Sequence, residues 1–348
     1  MIRQTLTSLS SIAEIDADMI IDVRAPSEFA HDHVPGAVNL PVLSDAERVE
    51  VGTIYSQQSP FLARKVGAAM VAANAARHLR GPLADLLGDW QPLVYCWRGG
   101  QRSGSFATIL DQVGWRVHLI EGGYRSYRKT VSQMLYDTPL AHRLMIVDGH
   151  TGTGKTALLH HLRDQGAQIL DLENLAGHRG SLFGAQKNGQ PSQKMFETQL
   201  ASALQVLDPN KLTWIEGESS KIGARVIPPS VWARMGAAPR IEITAPIAAR
   251  AAFLATAYAD LTHDTETFIG LIHRLRHYHA KDTILDWQGL ATAGDWQSLA
   301  KQLMVEHYDP RYAKSQARAV QRPEQMALAA LDHQSLSDTA RQLIAEFN

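Results

Sequence analysis

Short apolar runs alternate with longer stretches of helical period along the first 138 residues, separated by glycine, proline and polar turns. Met19-Ile20-Ile21-Asp22-Val23 reads as a buried strand and Pro26 to Ala30 as a short helix opening on proline. Ala37-Val38-Asn39-Leu40 reads as a second strand held between Gly36 and Pro41. A helical stretch over Ala63 to Leu79 follows, and Leu93-Val94-Tyr95 is a third strand that runs straight into Cys96. A glycine-containing loop, a helix over about Ser103 to Val113 and a strand Val117-His118-Leu119-Ile120 complete the series. Strands alternating with helices predict an α/β domain on a parallel sheet.

The pattern restarts around Asp137-Thr138-Pro139, where Leu144-Met145-Ile146-Val147 feeds a second glycine-rich loop and a helix beginning near Lys155. A domain boundary is expected there, giving domains over 1–138 and 139–348. Further strands are expected at Gln168 to Asp171, Leu212 to Ile215 and Ile241 to Thr244, so the second half is also α/β, turning largely helical from Ile247 onward.

Composition narrows the function classes. A chain of 348 residues accommodates two domains with separate cores. Its 34 Lys and Arg against 35 Asp and Glu leave a net charge of −1, which excludes an overall electrostatic adhesive for nucleic acid but not a local basic face. The single cysteine, Cys96, excludes an intrachain disulfide framework and a thiolate cluster around zinc or iron–sulfur. Met1 to Glu14 lacks the apolar core of a signal peptide. The most apolar stretch, Val66 to Ala76, falls short of the ~18 residues of a membrane span, so a cytoplasmic protein without a membrane partner is expected.

Cys96 opens the segment Cys96-Trp97-Arg98-Gly99-Gly100-Gln101-Arg102-Ser103, where strand becomes loop and loop becomes helix. Backbone N–H groups curled at a helix N-terminus, with Arg98 and Arg102 nearby, favour a thiolate and cradle a tetrahedral oxyanion, and Gly99 and Gly100 let the loop curl. A lone cysteine after an apolar strand also fits a small buried hydrophobe. Asp22-Val23-Arg24 with Glu28-Phe29, His33-Val34-Pro35-Gly36-Ala37 with Asn39-Leu40-Pro41, the cysteine loop and Glu121-Gly122-Gly123-Tyr124 together resemble the rhodanese-like sulfurtransferases. That resemblance implies that Cys96 accepts a sulfur or selenium atom and passes it on. Cys96 and Arg102 also satisfy C-x5-R, the spacing of cysteine phosphatases, and the loop alone leaves that alternative open.

Gly149-His150-Thr151-Gly152-Thr153-Gly154-Lys155-Thr156 matches G-x4-G-K-[ST] between a strand and a helix, the context a phosphate-binding loop requires. Successive N–H groups wrap a phosphate, Lys155 brings a mobile positive charge, and Thr156 is suited to hold Mg²⁺. Trp214-Ile215-Glu216-Gly217-Glu218 places two glutamates where P-loop proteins usually carry a metal-supporting aspartate. Glu216 or Glu218 fits that role, or equally an arginine partner or a turn. A basic run, His273-Arg274-Leu275-Arg276-His277-Tyr278-His279 with Lys281, reads as one helix whose Arg274, Tyr278 and Lys281 share a face. Such a face suits either a phosphate backbone or plain solvent. His178 to Gly184, carrying Arg179, and Tyr308-Asp309-Pro310-Arg311-Tyr312 read as loops able to stack a base or clasp phosphates, or simply to pack.

Taken whole, the chain resembles the bacterial tRNA 2-selenouridine synthase family, through the two loops, His178 to Gly184, Gln190-Pro191-Ser192-Gln193 with Phe196-Glu197, Trp214 to Ser219 and Tyr308 to Tyr312. The resemblance implies a rhodanese-like α/β domain followed by a P-loop NTPase-like α/β domain. It implies replacement of the sulfur of 2-thiouridine at the tRNA wobble position by selenium from selenophosphate, with geranyl diphosphate supplying a geranyl group to that sulfur. Implied partners are tRNA carrying 2-thiouridine in the anticodon and an enzyme that supplies selenophosphate. The P-loop is expected to take geranyl diphosphate, with tRNA phosphate and a nucleotide as alternatives. A cysteine phosphatase and a nucleotide-controlled RNA-binding protein are the competing functions.

Overall fold

The computed structural model describes residues 1–316 and 323–347. The chain divides into two compact units, the first comprising Met1–Leu140, Pro191–Val206 and Pro228–Ser230, the second the remainder. In the first unit, strands β1 (Ile2–Gln4), β2 (Met19–Asp22), β3 (Ala37–Asn39), β4 (Pro92–Tyr95) and β5 (His118–Ile120) form a sheet ordered β1-β5-β4-β2-β3. Every pairing in it is parallel. Helices α1 (Pro26–His31), α2 (Asp45–Gln57), α3 (Pro60–Arg80), α4 (Gln101–Val113) and α5 (Tyr124–Ser132) connect the strands. Ile21, Val94, Phe106 and Leu110 are fully buried at the centre of the core.

Two elements of this unit have no periodic signature. Helix α2 buries none of its residues, so it carries no apolar stripe. It is set by a capping box, with Ser44 Oγ accepting from the Glu47 N–H and Glu47 accepting from the Ser44 N–H. Strand β1 is only three residues long and sits at the sheet edge against β5.

The second unit begins with β6 (Arg143–Gly149), followed by α6 (Lys155–Asp164), β7 (Gln168–Leu170) and α7 (Leu172–Ala176). Helix α8 (Gln193–Val206) then belongs to the first unit. The chain continues through β8 (Leu212–Glu216), a small antiparallel pair β9 (Lys221–Ile222) and β10 (Arg225–Val226), α9 (Pro229–Ala237) and β11 (Arg240–Thr244). Helices α10 (Ile247–Ala257), α11 (Ala259–Thr262), α12 (Thr265–His273), α13 (Lys281–Ala293), α14 (Trp296–Leu303) and α15 (Asp309–Gln316) precede strand β12 (Glu324–Ala327) and helix α16 (His333–Phe347). The main sheet runs β12-β11-β6-β8-β7, all parallel, with β6 central. Leu158, Leu159, Trp214, Ile243 and Leu343 fill the space against its helices, and Phe268, Ile272, Trp287 and Leu299 form a second, all-helical core.

Two expectations about local structure need correction. The basic run is not one helix: α12 ends at His273, Arg274–His277 is a 3₁₀ turn, and α13 starts afresh at Lys281 with Ala280 in an extended conformation before it. Ile272 and Leu275 both bury, three residues apart, a spacing that the tighter turn serves. Tyr308 to Tyr312 is not a loop either. A π turn over Met304–Tyr308 leads directly into α15, with Pro310 in its first turn, where its missing N–H costs nothing.

Candidate functional site

Cys96 lies at the carboxyl end of β4, the edge of a parallel sheet where loops gather ligands. Its loop is fixed from below by the Glu121-to-Tyr124 turn: the Tyr124 N–H donates to the Cys96 carbonyl at 2.8 Å and the Arg125 N–H to the Trp97 carbonyl at 3.1 Å. Gly123 makes that approach possible. Its φ is +59°, and a Cβ there would meet the Cys96 carbonyl oxygen at 2.2 Å and the Gly99 nitrogen at 2.5 Å. Gly100 precedes the first turn of α4 and offers no side-chain cap, so the N–H groups of that turn are left for an anion.

The sulfur accepts a hydrogen bond from Ser103 Oγ at 3.1 Å, and the residue is only 3% exposed. Passing on a sulfur or selenium atom, the role that the rhodanese resemblance implies for Cys96, calls for a reachable sulfur. Instead the side chain sits beneath its loop, among core residues of the first unit. Arg102 also departs from expectation. Its guanidinium grips Glu28 with two hydrogen bonds, 2.6 and 3.3 Å, and burial of the Glu28 carboxyl is outweighed by this contact, which holds it below the usual range. An arginine committed to Glu28 is not the phosphate-gripping arginine that C-x5-R chemistry requires. Arg98 is exposed beside the loop.

A buried polar network braces the same loop. Arg24, 1% exposed, hydrogen-bonds Asp22 and the Asp32 carbonyl and lies 4.0 Å from the Tyr124 ring centroid. The Asp32 carboxylate, fully buried, accepts from Tyr124 Oη at 2.5 Å and from Thr198 Oγ1 of α8 at 3.1 Å. Arg128 of α5 pairs with Glu197 and donates to the Lys194 carbonyl and Thr198 Oγ1, each at 3.2 Å. Ser192 donates to the His31 carbonyl. Helix α8 is thereby held so that the Lys194 ammonium stands 5.8 Å from the centroid of Trp97, the residue after the cysteine.

In the second unit the P-loop connects β6 to α6 as expected. Lys155 Nζ donates to the carbonyls of Gly149 at 2.8 Å and His150 at 3.3 Å. Thr153 is buried and donates to the His150 carbonyl at 2.9 Å, and the Thr151 carbonyl accepts from Arg250 at 2.7 and 3.0 Å. Arg250 also pairs with Asp309 at 2.6 Å, and His150 Nδ1 lies 2.9 Å from the same carboxylate. Burial raises the Asp309 carboxyl, but its contacts with Arg250 and His150 prevail and hold it low. The Tyr312 ring packs tilted against His150 with centroids 4.2 Å apart, and its hydroxyl donates to Asp148 at 3.2 Å. Tyr308 and Tyr312 therefore serve the P-loop side of the unit.

Beside the loop opens a cavity of about 670 Å³, lined by Gly149, Gly152, Gly154, Lys155 and Thr156 together with Arg179 and the two tyrosines. Its floor is acidic. Thr156 Oγ1 donates to Glu173 at 3.0 Å, and the Glu173 N–H donates to Glu216 at 2.8 Å. Burial, with Asp171 and Glu173 adding, pushes the Glu216 carboxyl well above its ordinary value. Glu173 and Glu218 hydrogen-bond each other. Burial and the neighbouring Glu173 charge raise Glu218 to about 8, so the pair holds a proton at neutral pH. Gly180 closes over them: a Cβ there would lie 2.9 Å from Glu173 Oε1 and from both Glu218 oxygens. Among the described residues, no three His, Cys, Asp or Glu side chains form a metal-binding group.

The structure thus gathers Gly149, Thr151, Gly152, Gly154, Lys155, Thr156, Glu218, Arg179, Tyr308 and Tyr312 at one cavity, whereas Thr153 and Glu216 are buried and do not line it. Arg274, Arg276 and Lys281 are exposed, and Arg311 lies 4.8 Å from the Tyr278 ring centroid. Sequence reading missed Glu173, Arg250 and Lys194, and it placed Glu28, Ser103 and Asp309 within motifs without giving them a role. Of the missed residues Glu173 had a local signal, since Asp171 follows an apolar strand and caps the next helix, accepting from the Asn174 N–H at 2.8 Å.

Family models match both units: a rhodanese-like domain over residues 5–130 and a tRNA 2-selenouridine synthase AAA domain over residues 142–281. The chain is thus a rhodanese-like module joined to a P-loop module. The tRNA 2-selenouridine synthase of Nitrosomonas europaea is 37% identical over 66% of this chain and 61% of its own length. That of Psychromonas ingrahamii is 36% identical over 72% and 67%, and that of Salmonella agona 35% identical over 77% and 71%. The chain belongs to the tRNA 2-selenouridine synthase family. The matched region spans about six- to seven-tenths of these relatives' lengths. No helix among the described residues is long and apolar enough to cross a membrane.

Proposed function

We propose that this protein replaces the sulfur of 2-thiouridine in the anticodon of tRNA by selenium, acting in the cytoplasm on selenophosphate delivered by a separate enzyme. The P-loop cavity takes geranyl diphosphate, and the Cys96 loop handles the selenium donor. The thiocarbonyl sulfur attacks C1 of the geranyl group, the C1–O bond breaks, and diphosphate departs with the electron pair while N3 of the base loses its proton. Lys155 and the loop N–H groups stabilise that leaving charge. The selenium of hydrogen selenophosphate then bonds to C2 of the S-alkylated base as the C2–S bond breaks, geranyl thiol leaves with the donor's proton, and water cleaves the P–Se bond, releasing phosphate and returning a proton to N3. Thr156 and the Glu173–Glu218 pair offer the oxygen donors suited to Mg²⁺, which would neutralise diphosphate charge.

The observation that carries this reading is the P-loop cavity opening beside an apolar pocket walled by Leu254, Tyr258 and Phe268, the surroundings of a ligand with an anionic head and a hydrocarbon tail. The commitment of Arg102 to Glu28 speaks against the phosphatase alternative. The test is conversion of thiolated tRNA by the purified protein with both co-substrates, followed by nucleoside mass spectrometry. Cys96→Ala is expected to stop selenation and spare geranylation, and Lys155→Ala to abolish geranylation. Tight ATP or GTP binding with unchanged tRNA would overturn the proposal.

A further inference from the structure

The apolar pocket shares Thr151, Ser181, Leu254, Tyr258 and Tyr308 with the P-loop cavity, so the two adjoin across these side chains. Leu254 marks the junction, because a Cβ at Gly152 would meet its side chain at 2.9 Å, leaving the phosphate loop and the first wall of the pocket in contact. Beyond Leu254 the lining is almost wholly carbon, with Leu299, Leu303 and Met304 from the α14 region. Near its mouth Ser181 Oγ lies 3.2 Å from Tyr258 Oη, and the buried Tyr308 hydroxyl has no hydrogen-bond partner among the described residues, so polar groups are few and the pocket offers little to the directional edge of a nucleobase. At the far side Phe268 meets Trp296 edge to face at 5.3 Å and stacks on Phe183 at 5.0 Å.

We infer that this pocket seats the distal end of an isoprenoid chain whose diphosphate lies on the P-loop, and that Phe268 and Trp296 set the longest chain accepted. The inference rests on the P-loop ligand being an isoprenoid diphosphate, and it adds where the chain goes and what measures its length. As it stands the pocket holds about 60 Å³. That is less than half of the ~150 Å³ that takes a benzene ring, so it receives only the branched terminus of a chain. The carbons nearer the diphosphate lie along Phe253 and Leu254 in the larger cavity, which both residues line. A ten-carbon chain ends at the aromatic pair, and a fifteen-carbon chain runs into it.

The test uses the full-length protein, thiolated tRNA and dimethylallyl, geranyl and farnesyl diphosphates, with inorganic diphosphate as the tail-less reference in binding. Native protein prefers geranyl over farnesyl diphosphate. Trp296→Ala is expected to raise the farnesyl-to-geranyl ratio of kcat/KM by about tenfold to a hundredfold, the range that pocket-filling carbons command. Ala300→Phe, which fills the pocket from α14, is expected to bring geranyl affinity down toward that of inorganic diphosphate and to favour dimethylallyl. Transfer from geranyl diphosphate with chain-length preference unmoved in both variants would overturn the length-setting role while leaving the assignment of the P-loop intact. Geranyl diphosphate binding no tighter than inorganic diphosphate in native protein would overturn both.

Discussion

Replacing Glu218 by Gln should stabilise the second unit against alkali. In the folded protein the Glu218 carboxyl titrates at about 8, against an ordinary 4.5, because it is buried and faces Glu173. Between those two values the folded state keeps a proton that the unfolded chain has released, so stability falls as pH rises through this window and the full penalty is present above pH 8. A displacement of that size corresponds to about 5 kcal/mol. Glutamine keeps the shape and the hydrogen-bonding capacity but carries no charge. Urea unfolding of the second unit, followed at pH 5 and pH 9, should find the native protein losing several kcal/mol more than Glu218→Gln across that interval, with the two nearly equal at pH 5. Parallel pH profiles for the two proteins would refute the shared proton. The same pair predicts that an anionic ligand on Lys155 and Thr156 binds with proton uptake near pH 8, readable as a buffer-dependent heat in calorimetry.

Two further outcomes follow from the first unit. Arg128→Ala leaves Glu197 and Asp32 buried without their cation and is expected to cost about 3–5 kcal/mol in denaturant unfolding, whereas a cost below 1 kcal/mol would mean that these carboxylates find other partners. Gly123→Ala must displace the Cys96 loop, since its Cβ would stand 2.2 Å from the Cys96 carbonyl; selenation should fall to background while binding of diphosphate by the second unit is retained, as calorimetry would report.

The strands and the two loops were legible because each is a local pattern. Leu93-Val94-Tyr95 and Leu144 to Val147 are apolar runs followed at once by glycine-rich turns, and both proved to be sheet strands delivering those turns. Legibility failed where the decisive partner is distant in sequence. Arg102 looked like an anion ligand until Glu28, 74 residues earlier, was found holding it. The Tyr308 to Tyr312 segment read as an aromatic loop because Pro310 normally interrupts a helix, whereas it falls in the first turn of α15, directly after a π turn, where proline is tolerated. The acid floor was half visible: Glu216 ends the strand next to the P-loop strand and Glu218 follows two residues later, but Glu173 arrives from a five-residue helix with no motif of its own.

Helix α8 has a practical consequence for anyone dividing this protein. A fragment ending at Leu140 carries Asp32 and Arg128 but leaves behind Thr198 and Glu197, so it exposes the face that Phe196 and Leu200 should cover and strands a carboxylate and a guanidinium that were matched. Such a truncated fragment should aggregate. A stand-alone version of the cysteine-bearing half is expected to need residues 191–206 appended through a flexible tether, rather than a cut site moved a few positions along the chain.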